Sequence, residues 1–175
     1  MNIAVAVHSS QSGDLAGKIE AFLDELSKCG PHNIFVGGYW GYMRNVVDEA
    51  LKRGMRVVAI LPIEREDVEL PKDAIVVKTG CEFRCRSVML VRSADVLVAL
   101  GGGAGTMIEI AMAYAMGKPV FVLKGTGLAT DKLEAAYPEY LDERNSARVV
   151  YEADPKRLAS LVCSARPTAS ALEVG

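Results

Sequence analysis

Short runs of β-branched and aliphatic residues return along the chain in alternation with helical patterns, and that alternation leaves few folds open. Ile3 to Val7, Ile34 to Val36, Val57 to Leu61, Ile75 to Val77, Val96 to Leu100, Val120 to Leu123 and Val149 to Tyr151 read as buried strands. Each is short, almost continuously apolar and bounded by polar or glycine positions. Between the first two, Leu15, Ile19, Phe22, Leu23 and Leu26 recur at the helical period, with Ser12 set to cap the start and Gly30 to end it. Met43, Val46, Val47, Ala50 and Leu51 repeat the design before Gly54, and a third helix is predicted from about Thr106 to Met116, stopping at Gly117. Strand, helix and strand in repetition predict right-handed crossovers and a sheet covered on both faces. The expected fold is α/β: a Rossmann-like, doubly wound, mostly parallel sheet in three α/β/α layers, spanning residues 1–163, with a loose tail over residues 164–175.

Such a core needs apolar volume, and 175 residues at 50% hydrophobic content supply it within one domain. With 20 Lys and Arg against 22 Asp and Glu the formal charge is −2, so the chain has no electrostatic footprint for a nucleic-acid polymer. A small phosphorylated ligand fits that balance. No apolar run approaches the ~18 residues of a membrane span. The opening MNIAVAVHSS lacks the basic start and long apolar stretch of a secretion signal, so a cytoplasmic location with no membrane partner is expected. Cys29, Cys81, Cys85 and Cys163 are few for this length and are expected as reduced thiols that pack as small residues. Cys81 and Cys85 have no second pair or neighbouring histidine in sequence, so no metal site is expected.

In open parallel sheets ligands bind beyond the carboxyl ends of the strands, which directs attention to the segments that follow them. His8-Ser9-Ser10-Gln11-Ser12-Gly13 follows the first run, Gly37-Gly38-Tyr39-Trp40-Gly41 the second, Gly101-Gly102-Gly103-Ala104-Gly105-Thr106 the fifth, and Lys124-Gly125-Thr126-Gly127 the sixth. Glycines let backbone N–H groups approach an anion, and a helix starting near Gly105 aims its positive end at the same spot. Ser9, Ser10, Gly37, Gly38, Gly101, Gly102, Gly103, Ala104, Gly105 and Thr106 are therefore the candidate phosphate and nucleotide contacts. Neither the G-x-G-x-x-G dinucleotide spacing after the first strand nor a G-x-x-x-x-G-K-[ST] loop is present, which favours a monophosphate or a compact cofactor. Thr106 and Glu109 share a helix face one turn inside this edge, and Arg86, near the start of the helix between strands four and five, can meet Glu109 there. Arg84 and Arg92 are expected to point to solvent. Tyr39 and Trp40 are expected to pack rather than to carry a ligand.

Arg86-Ser87-Val88-Met89 together with Gly101-Gly102-Gly103-Ala104-Gly105-Thr106-Met107-Ile108-Glu109 is similar to an arginine followed by P-G-G-x-G-T-x-x-E. On these strings, and on Gly37-Gly38-Tyr39-Trp40-Gly41-Tyr42-Met43 with Leu61-Pro62, residues 1–150 resemble the LOG-type ("Lonely Guy") phosphoribohydrolases, long mislabelled as lysine decarboxylases. The resemblance implies that the glycine loop and Thr106 hold a nucleotide 5′-phosphate, while Arg86 and Glu109 serve as catalytic residues in cleavage of an N-glycosidic bond. It also implies a homodimer or higher homo-oligomer. Gly101 stands in place of proline, Ser87 of lysine and Ile108 of the first of two glutamates. These departures bring the chain closer to a sister branch of nucleotide-binding and molybdenum-cofactor-carrier-like Rossmann proteins.

Two readings of one site follow. In the first the protein binds a nucleotide or phosphorylated cofactor as its ligand; in the second it is a phosphoribohydrolase acting on nucleoside 5′-monophosphates. Neither requires a further cofactor. No lysine sits in a pyridoxal-phosphate setting, so lysine decarboxylation is not expected.

Overall fold

The computed structural model describes residues 1–11 and 14–166. Within them the strand-helix alternation closes into one seven-stranded sheet whose neighbours all pair in parallel. Its strands are β1 (Asn2–Ala6), β2 (Asn33–Val36), β3 (Arg56–Leu61), β4 (Ile75–Lys78), β5 (Val96–Ala99), β6 (Val120–Leu123) and β7 (Val149–Glu152). The helices are α1 (Ala16–Leu26), α2 (Tyr42–Lys52), α3 (Phe83–Arg92), α4 (Ala104–Ala115), the single turn α5 (Leu133–Ala136) and α6 (Pro155–Ser164).

The order β4-β3-β2-β1-β5-β6-β7 contains one reversal. The chain winds outward from β1 to β4, returns to lay β5 beside β1, and then winds the other way. Pairing of Ala6 with Ala99 brings the carboxyl ends of β1 and β5 level. Their continuations part at that level, and this is where doubly wound sheets open a crevice.

Side-chain alternation sorts the core into two layers. Ile3, Val5, Val96, Val98 and Leu100 face α1, α2 and α6, whereas Ala4, Ala6, Leu97 and Ala99 face α3 and α4. Three of the latter four are alanine, which lets the α3 and α4 layer sit close to the sheet. Gly54 and Gly117, with φ of 71° and 69°, take the left-handed conformation that stops α2 and α4 where expected. The α4 helix begins at Ala104 rather than near Thr106. The carboxyl end of α3 is closed by Lys118, whose ammonium donates to Val91 O (2.8 Å), Arg92 O (2.9 Å) and the Ala94 carbonyl.

The helices read from the pattern do not include one near residue 155, where α6 forms. Asp154 accepts from the Lys156 N–H (2.8 Å), Pro155 occupies the first turn, and Leu158, Ala159 and Val162 pack in the layer of α1. The helix extends through Ser164. Ser12, the expected cap of α1, and residues 167–175 of the expected tail lie outside the described residues. No helix among the described residues is long and apolar enough to cross a membrane.

The cysteines depart from expectation. Cys29 is joined to Cys163 and Cys81 to Cys85 as disulfides, with Cα–Cα separations of 6.0 and 5.7 Å. Packing explains the first, because α1 and α6 lie side by side with their carboxyl ends together, a neighbourhood hidden by a sequence separation of 134 residues. The second spans the residue that caps α3. One stability contrast follows: Phe22→Ala, at a site with no exposure, should cost about 3–5 kcal/mol. Ile75→Thr on the edge strand, where Ile75 is 49% exposed, should change stability by no more than about 0.5 kcal/mol, both read from urea midpoints at unchanged slope.

Candidate functional site

The glycine stretch after β5 divides into a turn and a cradle. Gly101, with φ of 98°, swings the chain out of the sheet and accepts from the His8 N–H (3.0 Å), which ties it to the segment after β1. Gly102 N–H donates to Thr130 Oγ1 (3.1 Å), and the Thr130 N–H returns to Gly102 O (3.1 Å). A side chain at residue 102 would occupy the place of the Thr106 hydroxyl. The intrahelical donors of α4 begin with Met107 N–H to Gly103 O (3.0 Å). The N–H groups of Ala104, Gly105 and Thr106 thus form the first turn that an α-helix cannot satisfy itself, the usual seat for an anion.

Facing that turn is a buried polar cluster. Arg86 on α3 and Glu109 on α4 are each 7% exposed, and Arg86 Nη1 lies 3.4 Å from Glu109 Oε1. Ser87, one residue along α3, donates to the same oxygen at 2.8 Å. The Arg86 guanidinium lies against the backbone of Gly37, so closely that a methyl group there would coincide with it. Burial lifts the Glu109 carboxyl above its ordinary range, opposed by the Arg86 charge and the Ser87 hydroxyl. Burial likewise lowers Arg86, against the attraction of Glu109. Arg86 Nε is buried with no hydrogen-bond partner among the described residues.

These groups line one cavity of about 510 Å³ at the carboxyl edge of β1 and β5. Of the residues expected from sequence, Arg86, Glu109, Ser9, Gly37, Gly103, Ala104, Gly105 and Thr106 are brought together in its wall. Gly38, Ser10, Gly101 and Gly102 are not. Gly38 lies beneath the Trp40 ring, Ser10 turns back so that its N–H donates to His8 Nδ1 (3.1 Å), and the other two build the turn just described. The loop after β6 is closed on itself: Asp131 accepts from the N–H groups of Thr126 (2.9 Å) and Gly127 (2.8 Å), and Thr126 packs under Gly101. It supports the cradle from behind.

The wall also holds Arg65 and Phe83, which sequence reasoning passed over, and Trp40 and Arg84, which it assigned to packing and to solvent. Arg65, from the turn after β3, reaches over the Trp40 ring at 5.6 Å, and Trp40 meets Phe83 edge to face at 6.4 Å. Arg84, expected in solvent, is exposed yet approaches within 3.3 Å of where a Cβ at Gly105 would sit. Arg65 and Arg84 come from the carboxyl edges of β3 and β4, segments without glycine clusters. Their common edge position was the signal that could have found them. Three guanidinium groups and His8 thus line the same cavity as the buried Glu109 carboxyl, with Arg86 in contact with it.

The sequence pattern of the SLOG cluster4 family matches residues 18–159. An uncharacterised protein of Archaeoglobus fulgidus is 37% identical over 94 residues, 53% of this chain and 60% of that protein, so the chain matches less than two thirds of this relative's length. The crystal structure of TM1055, a structural-genomics target, is 34% identical and superimposes with a TM-score of 0.81, covering 92% of this chain and 97% of the other. The molybdenum cofactor carrier protein of Chlamydomonas reinhardtii, at 24% identity, shares the fold with a TM-score of 0.73 over 92% of this chain and 94% of the carrier.

Two outcomes test the polar cluster. Ser87→Ala removes a bond that favours the carboxylate, so the Glu109 inflection in a ¹³C carboxyl titration should move further up from its already raised position. Gly37→Ala should displace the Arg86 guanidinium and move the same inflection up as well, because the compensating charge withdraws. An unmoved inflection in both variants would show that the cluster is not coupled as described.

Proposed function

The chain belongs to the SLOG cluster4 family, and on that premise we propose that its cavity binds a nucleotide or a phosphorylated cofactor, the phosphate resting on the first turn of α4. One observation carries this reading. Arg65, Arg84 and Arg86 line the same cavity as the first turn of α4, in a chain whose overall formal charge is −2. Guanidinium forks and backbone N–H groups meet a phosphate dianion from several directions with charge-assisted hydrogen bonds. The partnerless Nε of Arg86 adds a donor that an anionic oxygen would satisfy. About 510 Å³ exceeds the need of a phosphate alone and leaves room for a heterocycle beside Trp40 and Phe83. The fold shared with the molybdenum cofactor carrier protein of Chlamydomonas reinhardtii is in keeping with a role in binding a cofactor.

A second reading, cleavage of the N-glycosidic bond of a nucleoside 5′-monophosphate, draws on Glu109. A carboxyl held above its ordinary pKa can protonate a leaving base, and its ionised form can stabilise positive character at the ribose carbon while water adds there. Binding and cleavage share the same walls, so they part only in what Glu109 does.

Calorimetry and product analysis separate the outcomes. Nucleoside monophosphates should bind at least about tenfold more tightly than the matching nucleosides, the worth of one charge-assisted hydrogen bond. Gly103→Val should erase that advantage while changing the unfolding midpoint far less, because a Cβ at residue 103 meets no described atom within 4 Å and the main structural loss is a weaker N-cap of α4. Equal affinity for nucleoside and monophosphate would refute the cradle. Release of free base and ribose 5-phosphate that is lost in Glu109→Gln would establish the enzyme, and tight binding without release would establish the carrier.

A further inference from the structure

A second cluster lies at the opposite, amino-terminal edge of the sheet. The turn of residues Ser27–Cys29 that ends α1, the residue before β2 and the last turn of α6 bring Cys29, His32 and Cys163 together. Two sulfurs and one imidazole nitrogen all lie within 4.8 Å of one another, and Cys29 Sγ is 3.2 Å from His32 Nε2. His32 is 9% exposed, and its Nδ1 is buried without a partner among the described residues. Burial, and after it the positive amino group of Met1, hold the imidazole below its ordinary pKa.

We propose that the reduced chain uses Cys29, His32 and Cys163 to bind one thiophilic divalent cation of the zinc class, with water as the fourth ligand. Two thiolates and an imidazole are the soft and borderline donors that select such a cation over magnesium or calcium. Zinc stands about 2.3 Å from sulfur and about 2.0 Å from imidazole nitrogen, which sets tetrahedral ligands about 3.5 Å apart. The Cys29 to His32 separation of 3.2 Å is near that value, and parting the two sulfurs supplies the rest. The two thiolate charges match the cation.

The disulfide and the cation exclude each other, because both use the same two sulfurs. A dithiol reductant opens the bond by exchange: two electrons and two protons pass to Cys29 and Cys163, and the reductant is left as a disulfide. Cation binding then displaces the two thiol protons. Either state clamps the end of α1 to the end of α6. Cys81 and Cys85 share none of this geometry.

The test uses the full chain, reduced with a phosphine under inert gas and titrated with Co²⁺, which reports its ligands by colour. One cation per chain should bind, with a thiolate-to-cobalt charge-transfer band in the near ultraviolet and the intense visible bands of a tetrahedral centre, both erased by Zn²⁺. Replacing Cys81 and Cys85 by serine should leave the spectrum intact. His32→Ala and Cys163→Ser should each weaken binding by about tenfold or more. In the unaltered chain Zn²⁺ should slow alkylation of Cys29 and Cys163 but not of Cys81 and Cys85. Weak octahedral bands, a spectrum indifferent to both substitutions, or unprotected Cys29 and Cys163 would each overturn the site.

Discussion

A guanidinium and a carboxylate withdrawn from water lose several kcal/mol of hydration apiece, and a fold that buries both must hold them in register or suffer for it. Arg86 and Glu109 impose that condition here. Their contact ties α3 to α4 on one face of the sheet, and the bare backbone of Gly37 gives the guanidinium its berth at the end of β2. Three segments from both windings of the chain are thereby fixed around the point where β1 and β5 diverge. Ser87 completes the arrangement by supplying the carboxylate with a second donor on the same oxygen. The first turn of α4 acquires its aim from this pair, since Glu109 sits on that helix and cannot shift without leaving Arg86 stranded.

The charges of the cavity run against those of the whole molecule. An acidic chain concentrates guanidinium groups in a concave wall, where low-dielectric surroundings strengthen their field toward an incoming anion. Glycine-rich loops divide the labour around it. Gly103 and Gly105 keep the cradle open, whereas Gly101 and Gly102 spend their backbone groups on the turn and on Thr130. Asp131 takes the amides of the loop after β6, so that loop braces rather than binds. Glycine abundance at a strand end is therefore an ambiguous sign, resolved only by asking where each N–H goes.

Much of the scaffold was legible in the chain. All seven apolar runs are strands of the parallel sheet; the inner ones are buried on both faces and so read as continuous apolar stretches, whereas Ile75 to Val77, expected buried, form the edge strand β4 and are exposed because no further strand covers them. The stops at Gly54 and Gly117 were equally plain. The meeting of Arg86 with Glu109 was readable because both lie within a turn of the same edge. Arg65 was missed, and Arg84 was read as solvent-facing, as its exposure bears out, without its place in the cavity wall, because no local pattern marks either and only their shared position at the carboxyl edge of the sheet links them to the crevice. The α6 helix escaped notice for the opposite reason: its Asp-Pro start is a strong signal, but its short apolar face of Leu158, Ala159 and Val162 hardly rises above background. The joining of Cys29 to Cys163 depends on two helices packing side by side, and no reading of spacing could supply that.

The partnership of α1 with α6 also bears on how the molecule comes into being. Ile19, Phe22, Leu23 and Leu26 are covered in part by residues made well over a hundred positions later. During synthesis that apolar stripe can first pack with β1, β2 and α2, and its remaining side stays open until α6 is made. Closure of this face is consequently a late, long-range event laid over the earlier packing of neighbouring elements.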